Sequence, residues 1–188
     1  MPRNSEDARY RLQIAALELF TQNGFDQTTA AQIAARAGVT ERTFFRHFPD
    51  KREVLFMGSK HLQDVVVAAI MAAPDTMGPL DVVGVAMESA AALLEEDRPF
   101  ARQRWAVIAA NPSLQERELL KLSTLGAAVA EALRMRGVAE LPASLAAETG
   151  VTIFKISFEL WVGDNESASF TEGIRDALAQ LRGLTAGA

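Results

Sequence analysis

An all-α fold of about nine helices is expected from this chain, on three observations. Val and Ile are scattered among Ala, Leu, Glu and Arg, and no apolar–polar alternation persists long enough to make a strand. Glycine and proline punctuate the chain at roughly helix-length intervals. Between them the apolar residues recur at spacings of about three and four, which places them on one side of a helix. With 188 residues, 49% of them apolar, the chain is long enough to bury a sizeable core.

The first helix is expected over residues 5–22, with Leu12, Ala16, Leu19 and Phe20 on one stripe. Gly24 stops it, because glycine suits the left-handed position after a helix. Thr28 or Thr29 caps a short second helix, AAQIAARA, which Gly38 ends. Thr40 then caps a third, ERTFFRHF. Pro49 and Asp50 make the next break, and a long helix is expected from 51 to 72, followed by linker-like punctuation, APDTMGP, at 73–79. Further helices are expected over 80–97, 99–110, 113–136, 143–163 and 168–183. Pro99, Pro112 and Pro142 mark three of the starts, since proline is well tolerated in a first helical turn. Gly137 and Gly163 mark stops.

Several function classes are excluded at this level. There is no cysteine, so disulfides and thiolate metal sites are ruled out. The two histidines, His47 and His61, stand fourteen residues apart without a carboxylate pattern around them, and no GxxxxGK or GxGxxG loop occurs. An enzyme is therefore not expected, nor a cofactor or metal. No apolar run reaching the ~18 residues of a membrane span is evident, and the N-terminus MPRNSEDARY is too polar for a signal peptide. A cytoplasmic protein with no membrane partner is the expectation.

Charge is unevenly spread. Residues 1–60 carry nine Lys/Arg against seven Asp/Glu, and residues 61–188 carry ten against seventeen. An acidic chain with a locally basic N-terminal module suggests two jobs in two places. On the third helix, Phe44 and Phe48 fall on one side. Arg42, Thr43 and Arg46 fall opposite, with Phe45 and His47 flanking. A short apolar-periodic helix (Ala30, Ile33, Ala34, Ala37), a glycine turn and an Arg-bearing helix form a helix-turn-helix, whose second helix lies in the major groove. Arginine grips a guanine edge or a phosphate, and threonine meets a base acceptor or a thymine methyl.

The segment ALELFTQNGFDQTTAAQIAARAGVTERTFFRHFPDK, residues 16–51, resembles the DNA-binding domain of the tetracycline-repressor (TetR) family of transcriptional regulators. The matching elements are LF…GF, TT…IA..AGV and T-F-F-x-H-F-P-x-K, in order and at family spacing. The resemblance implies a helix-turn-helix DNA-binding domain over 1–50 and a helical effector-binding and dimerisation domain over 51–188. Carried over by position, it implies that Thr29 bonds a phosphate through its hydroxyl and backbone N–H, and that Arg36 lies near the DNA backbone. Thr40, Arg42 and Thr43 reach phosphate or bases. His47 and Lys51 contact phosphate. Phe45 stands where the family usually has tyrosine, so only an apolar contact is expected there. Arg46 joins the set from its position opposite the buried face, and Arg3, Arg9 and Arg11 either form an N-terminal arm over the phosphates or are simply exposed.

A single helix-turn-helix reads few base pairs, so pairing over a palindromic operator is expected. VTIFKISFELWV, residues 151–162, is apolar on nearly every side, and the last helix carries a stripe of its own. Phe154, Phe158, Trp161, Phe170, Ile174, Leu178 and Leu181 are accordingly expected at a homodimer interface. The effector pocket implied by the resemblance is expected among the intervening helices. Met71 and Trp105 would line it, His61 and Arg102, with Arg104, would orient a ligand, and the effector would be small and largely apolar. The expectation is thus a sequence-specific, ligand-responsive repressor in the cytoplasm, at the nucleoid, that binds double-stranded DNA as a dimer. The alternative is a helical dimeric interaction protein that does not bind DNA.

Overall fold

The computed structural model describes residues 3–163 and 169–186. Among them are nine α-helices and no strand: α1 (Arg3–Asn23), α2 (Ala30–Arg36), α3 (Glu41–His47), α4 (Ser59–Ala72), α5 (Pro79–Glu95), α6 (Arg98–Ala109), α7 (Pro112–Met135), α8 (Glu140–Gly163) and α9 (Phe170–Ala186). The all-α expectation holds. The long helix from 51 does not, because its first part is a 3-10 turn, Glu53–Phe56, and α4 begins only at Ser59. The Asp50 carboxylate starts that turn by accepting the N–H groups of Arg52 (2.8 Å) and Glu53 (3.2 Å). Val54, Leu55 and Phe56 are all buried in succession, which one face of an α-helix cannot provide.

Glu53–Ala72 does reach the length and apolarity of a membrane span, contrary to the expectation that no stretch would. The segment is not one continuous helix, and Val54, Leu55, Phe56, Val66 and Ile70 along it are buried within the protein.

The chain forms two compact units. The first comprises Met1–Gly58 together with Arg102–Glu118, and the second Ser59–Ala101 together with Leu119–Ala188. In the first unit α1 packs on α2 and on the 3-10 turn, and α2 packs on α3. Its core is Leu12, Ala16, Phe20, Phe25, Ile33, Ala34, Phe44 and Phe48, all buried, with Phe20 and Phe25 edge-to-face at 5.0 Å. A module this small needs aromatic side chains to bury enough surface. The segment from Arg102 is tied to the 3-10 turn by polar bonds. Arg104 donates to the Leu55 carbonyl (2.7 Å), pairs with Glu118 (2.9 Å) and lies 5.1 Å over the Phe56 ring, and Arg117 pairs with Glu53.

In the second unit α5 is the central helix, packed by α4, α8 and α9. Its Val82, Val83, Ala86, Met87, Ala90 and Ala91 are wholly buried. Gly150 lets the α8 backbone come down onto Val83, where a side chain would collide. Where α8 meets α9, the ring of Phe170 stacks on Trp161 at 5.2 Å and touches Phe154 at 5.1 Å and Phe158 at 5.7 Å. At the end of α5, Glu95 accepts bonds from the Ser169 hydroxyl (2.8 Å) and the Thr171 N–H (3.0 Å), which anchors the start of α9.

Candidate nucleic-acid interface

The interface is built from two short helices and a glycine turn. Thr29 and Gln32 cap α2 reciprocally: the Thr29 N–H donates to Gln32 Oε1 (2.8 Å) and the Gln32 N–H to Thr29 Oγ1 (3.2 Å). Gly38, at φ +70°, reverses the chain, and the Val39 N–H closes onto the Ala34 carbonyl at 2.9 Å. Thr40 caps α3 by accepting the Thr43 N–H at 3.2 Å, and the two hydroxyls lie 3.0 Å apart. Acidic Glu41 opens the helix, while Arg46 and His47 close it, the arrangement the helix dipole favours.

On α3, Phe44 (0% exposed) and Phe48 (2%) point into the first unit. Arg42, Phe45 and Arg46 are exposed on the other side. Among the described residues no acid or carbonyl pairs with Arg42, so its five N–H donors are available. Phe45, 51% exposed, leans edge-on against Phe44 at 5.4 Å. Arg46 reaches His47 at 3.5 Å, and Arg9 of α1 lies 5.7 Å from the Phe48 ring centroid. Burial lowers the pKa of His47, and the Arg46 and Arg9 guanidiniums lower it further.

The remaining candidates are engaged locally. Both Thr29 groups assigned to a phosphate are used in the α2 cap. Arg36 is exposed but paired with Glu18 at 2.7 Å. Lys51 gives its ammonium to the carbonyls of Phe25 (2.8 Å), Thr28 (3.0 Å) and Asp26 (3.3 Å). One residue was missed as part of this site, and the contact made by another was not foreseen. Gln32 was legible as the fourth position of a capping box. The approach of Arg9 to the end of α3 joins residues far apart in sequence, and no local signal marks it.

Two family models match the chain. One, "Bacterial regulatory proteins, tetR family", covers residues 14–56, and the other, "MftR C-terminal domain", a TetR C-terminal model, covers residues 77–185. The chain belongs to the TetR family. Among curated TetR-type relatives, it is similar to the HTH-type transcriptional regulator TcmR of Streptomyces glaucescens, at 38% identity over 74 residues, which is 39% of this chain and 33% of TcmR. It is similar also to the HTH-type transcriptional repressor LfrR of Mycolicibacterium smegmatis, at 37% over 82 residues, 43% of each protein. These matches span less than half the length of the relatives. Among solved structures, the TetR-family repressor FadR of Thermus thermophilus, in complex with lauroyl-CoA, is 25% identical and covered to 93% in both chains, with a TM-score of 0.59. The fatty acid degradation regulator FadR of Bacillus halodurans shares the fold at 18% identity, with 91% of this chain and 96% of that one covered and a TM-score of 0.64.

In the rest of this TetR-family chain the structure places two sets of expected residues as follows. The candidate effector residues are divided between the two units. His61 and Met71 are exposed on α4 in the second unit, whereas Arg102 (exposed) and Trp105 (half-buried) belong to the first. Arg104 is committed to Leu55 and Glu118. An open groove of ≈410 Å³ between α5 and α9 in the second unit is crossed by the pairs Arg175–Glu88 and Arg182–Asp81 and is lined by none of these residues.

The residues expected at a dimer interface pack largely within the protomer. Phe154, Phe158, Trp161, Phe170, Ile174 and Leu178 are buried inside a single protomer, and Leu181 is half-buried. They join α8 to α9 within one chain. The apolar side chains that α8 leaves in solvent are Leu141, Leu145, Ile156 and Leu160, the last 70% exposed.

Proposed function

We propose that this protein is a sequence-specific DNA-binding transcriptional regulator, a ligand-responsive repressor that occupies a palindromic operator as a homodimer. The observation that carries the reading is the division of α3, with Phe44 and Phe48 buried and Arg42, Phe45 and Arg46 exposed on a glycine-turned helix pair. Arg42, Thr43 and Arg46 read base edges and adjacent phosphates, Thr40 and His47 position the helix on the backbone, and Phe45 makes apolar contact. Arg36 and Thr29 join the backbone contacts by exchanging Glu18 and Gln32 for phosphate oxygens. DNA binding belongs to residues 1–50, and effector binding and dimerisation to 51–188. The protein acts at the nucleoid in the cytoplasm and catalyses no reaction.

Dimerisation uses the outward face of α8. Ile156 and Leu160 stand one turn apart, and two such faces together remove four large apolar side chains from water. The effector is a small, largely apolar molecule, and the apolar lauroyl chain of the lauroyl-CoA held by the Thermus thermophilus relative shares that apolar character, unlike its large, charged CoA part. An effector that prefers a dimer with differently spaced recognition helices shifts the population away from the operator.

Selection of bound duplexes from a random pool tests the reading. A palindromic consensus, bound with an affinity that falls steeply with salt as counterions are released, is the expected result. Absence of any salt-dependent duplex binding leaves only a helical interaction protein.

A further inference from the structure

Lys51 follows Pro49 and Asp50 beyond α3, yet its ammonium closes a loop twenty-three to twenty-six residues earlier. The carbonyls of Phe25, Asp26 and Thr28 converge on it, and the Phe25 ring centroid lies 4.3 Å from Nζ. An ammonium carries three N–H donors and no acceptor, so these three carbonyls saturate it. The ring adds cation–π attraction. The loop is shaped for the purpose. Gly24 at φ +82° turns the chain, and the buried Thr28 hydroxyl donates back to the Gly24 carbonyl at 2.8 Å. Without a cation, three carbonyl dipoles would face one another in a half-buried space. The next residue, Thr29, is the cap on which α2 begins.

We infer that Lys51 is a positioning residue for DNA binding: it clamps the loop between α1 and α2, and so sets where α2 starts and how α3 is presented, in place of gripping a phosphate. The inference rests on the regulator reading only for its effect on affinity. The clamp itself is a property of the free protein. A phosphate ligand and a loop clamp differ in a measurable way. Loss of a phosphate contact flattens the salt dependence of binding by about one unit of log K against log salt. Loss of a clamp lowers affinity at every salt concentration and leaves the slope alone.

The test uses the full chain with Lys51→Met, which keeps the stem and removes the donors, and Lys51→Arg, which keeps the cation. Kd for the selected operator duplex is measured over a salt series, and amide hydrogen exchange is followed in the free protein well below its unfolding temperature. The expected result for Lys51→Met is at least a tenfold loss of affinity with an unchanged slope. Exchange should quicken at Gln32 and Ile33 while the interior of α1 stays protected. Lys51→Arg should recover part of both. General destabilisation would instead speed all the slow amides of the first unit together, and that result overturns the inference. So does a slope reduced by about one unit, or unchanged exchange at the start of α2. Should Lys51→Met fail to fold, Lys51→Gln, with two donors, carries the same comparison. If the wild-type chain selects no duplex, the regulator reading fails while the exchange measurement still decides the clamp.

Discussion

Alanine at Gly150 should destabilise the second unit even though it improves helix propensity. A methyl group added there meets Val83 Cγ1 well inside van der Waals contact and lies 3.4 Å from Met87 Cε. Both neighbours are 0% exposed, and a β-branched side chain in a helix has essentially one rotamer, so Val83 cannot swing aside. Gly→Ala in a helix interior gains about 0.8–1 kcal/mol, while overpacking costs about 1–3 kcal/mol. With a contact this close the upper part of that range applies, for a net loss of about 1–2 kcal/mol. Val83→Ala alone removes two buried methyl groups and leaves a cavity, at a cost of about 2 kcal/mol. In the double variant the new methyl fills the space vacated by Val83 and the helix keeps its propensity gain. The pair should therefore cost about 1 kcal/mol, where independent effects would cost about 3–4 kcal/mol. Urea unfolding of the four proteins, at one protomer concentration because association shifts the midpoint, gives the coupling energy. Additivity within about 0.5 kcal/mol would refute the packing argument.

Three further outcomes are expected. Arg42→Ala should cost about 1–3 kcal/mol of operator affinity and relax preference at one base position, read by repeating the duplex selection with the variant. Burial and the Arg46 and Arg9 guanidiniums disfavour the charged form of His47 in the free protein, whereas a DNA phosphate favours it. Binding should then take up a proton, so operator affinity should rise as pH falls through the histidine range, and His47→Gln should flatten that profile. Leu160→Lys together with Ile156→Lys should shift the protein to monomer in analytical ultracentrifugation and weaken operator binding, while circular dichroism stays helical. A variant that remains dimeric would move the interface off this face of α8.

Helix positions were legible because Gly24, Gly38, Gly137 and the prolines mark the helix ends, and no long-range information is needed to read them. The α3 face was legible for the same reason, since seven residues at 100° each decide which side a phenylalanine and an arginine occupy. What the sequence could not do was choose between two apolar sides of one helix. On α8 both Phe154/Phe158 and Ile156/Leu160 are apolar, and only tertiary packing decides which pair the protomer keeps for itself. The placement of the candidate effector residues was not legible, because Trp105 and Arg102 lie on a helix whose two ends belong to different units. Lys51 matched a family position, but its three carbonyl partners come from a loop more than twenty residues away, beyond any local pattern.

The bonds that tie Arg104 to Leu55 and Glu118, and Arg117 to Glu53, have a consequence for synthesis. The N-terminal unit is discontinuous, and its final piece ends at Glu118. A nascent chain released only as far as Gly58 still has the Leu55 carbonyl without the Arg104 guanidinium that it accepts from. That unit can mature only after the intervening forty-three residues have left the ribosome, so the order of emergence and the order of completion differ.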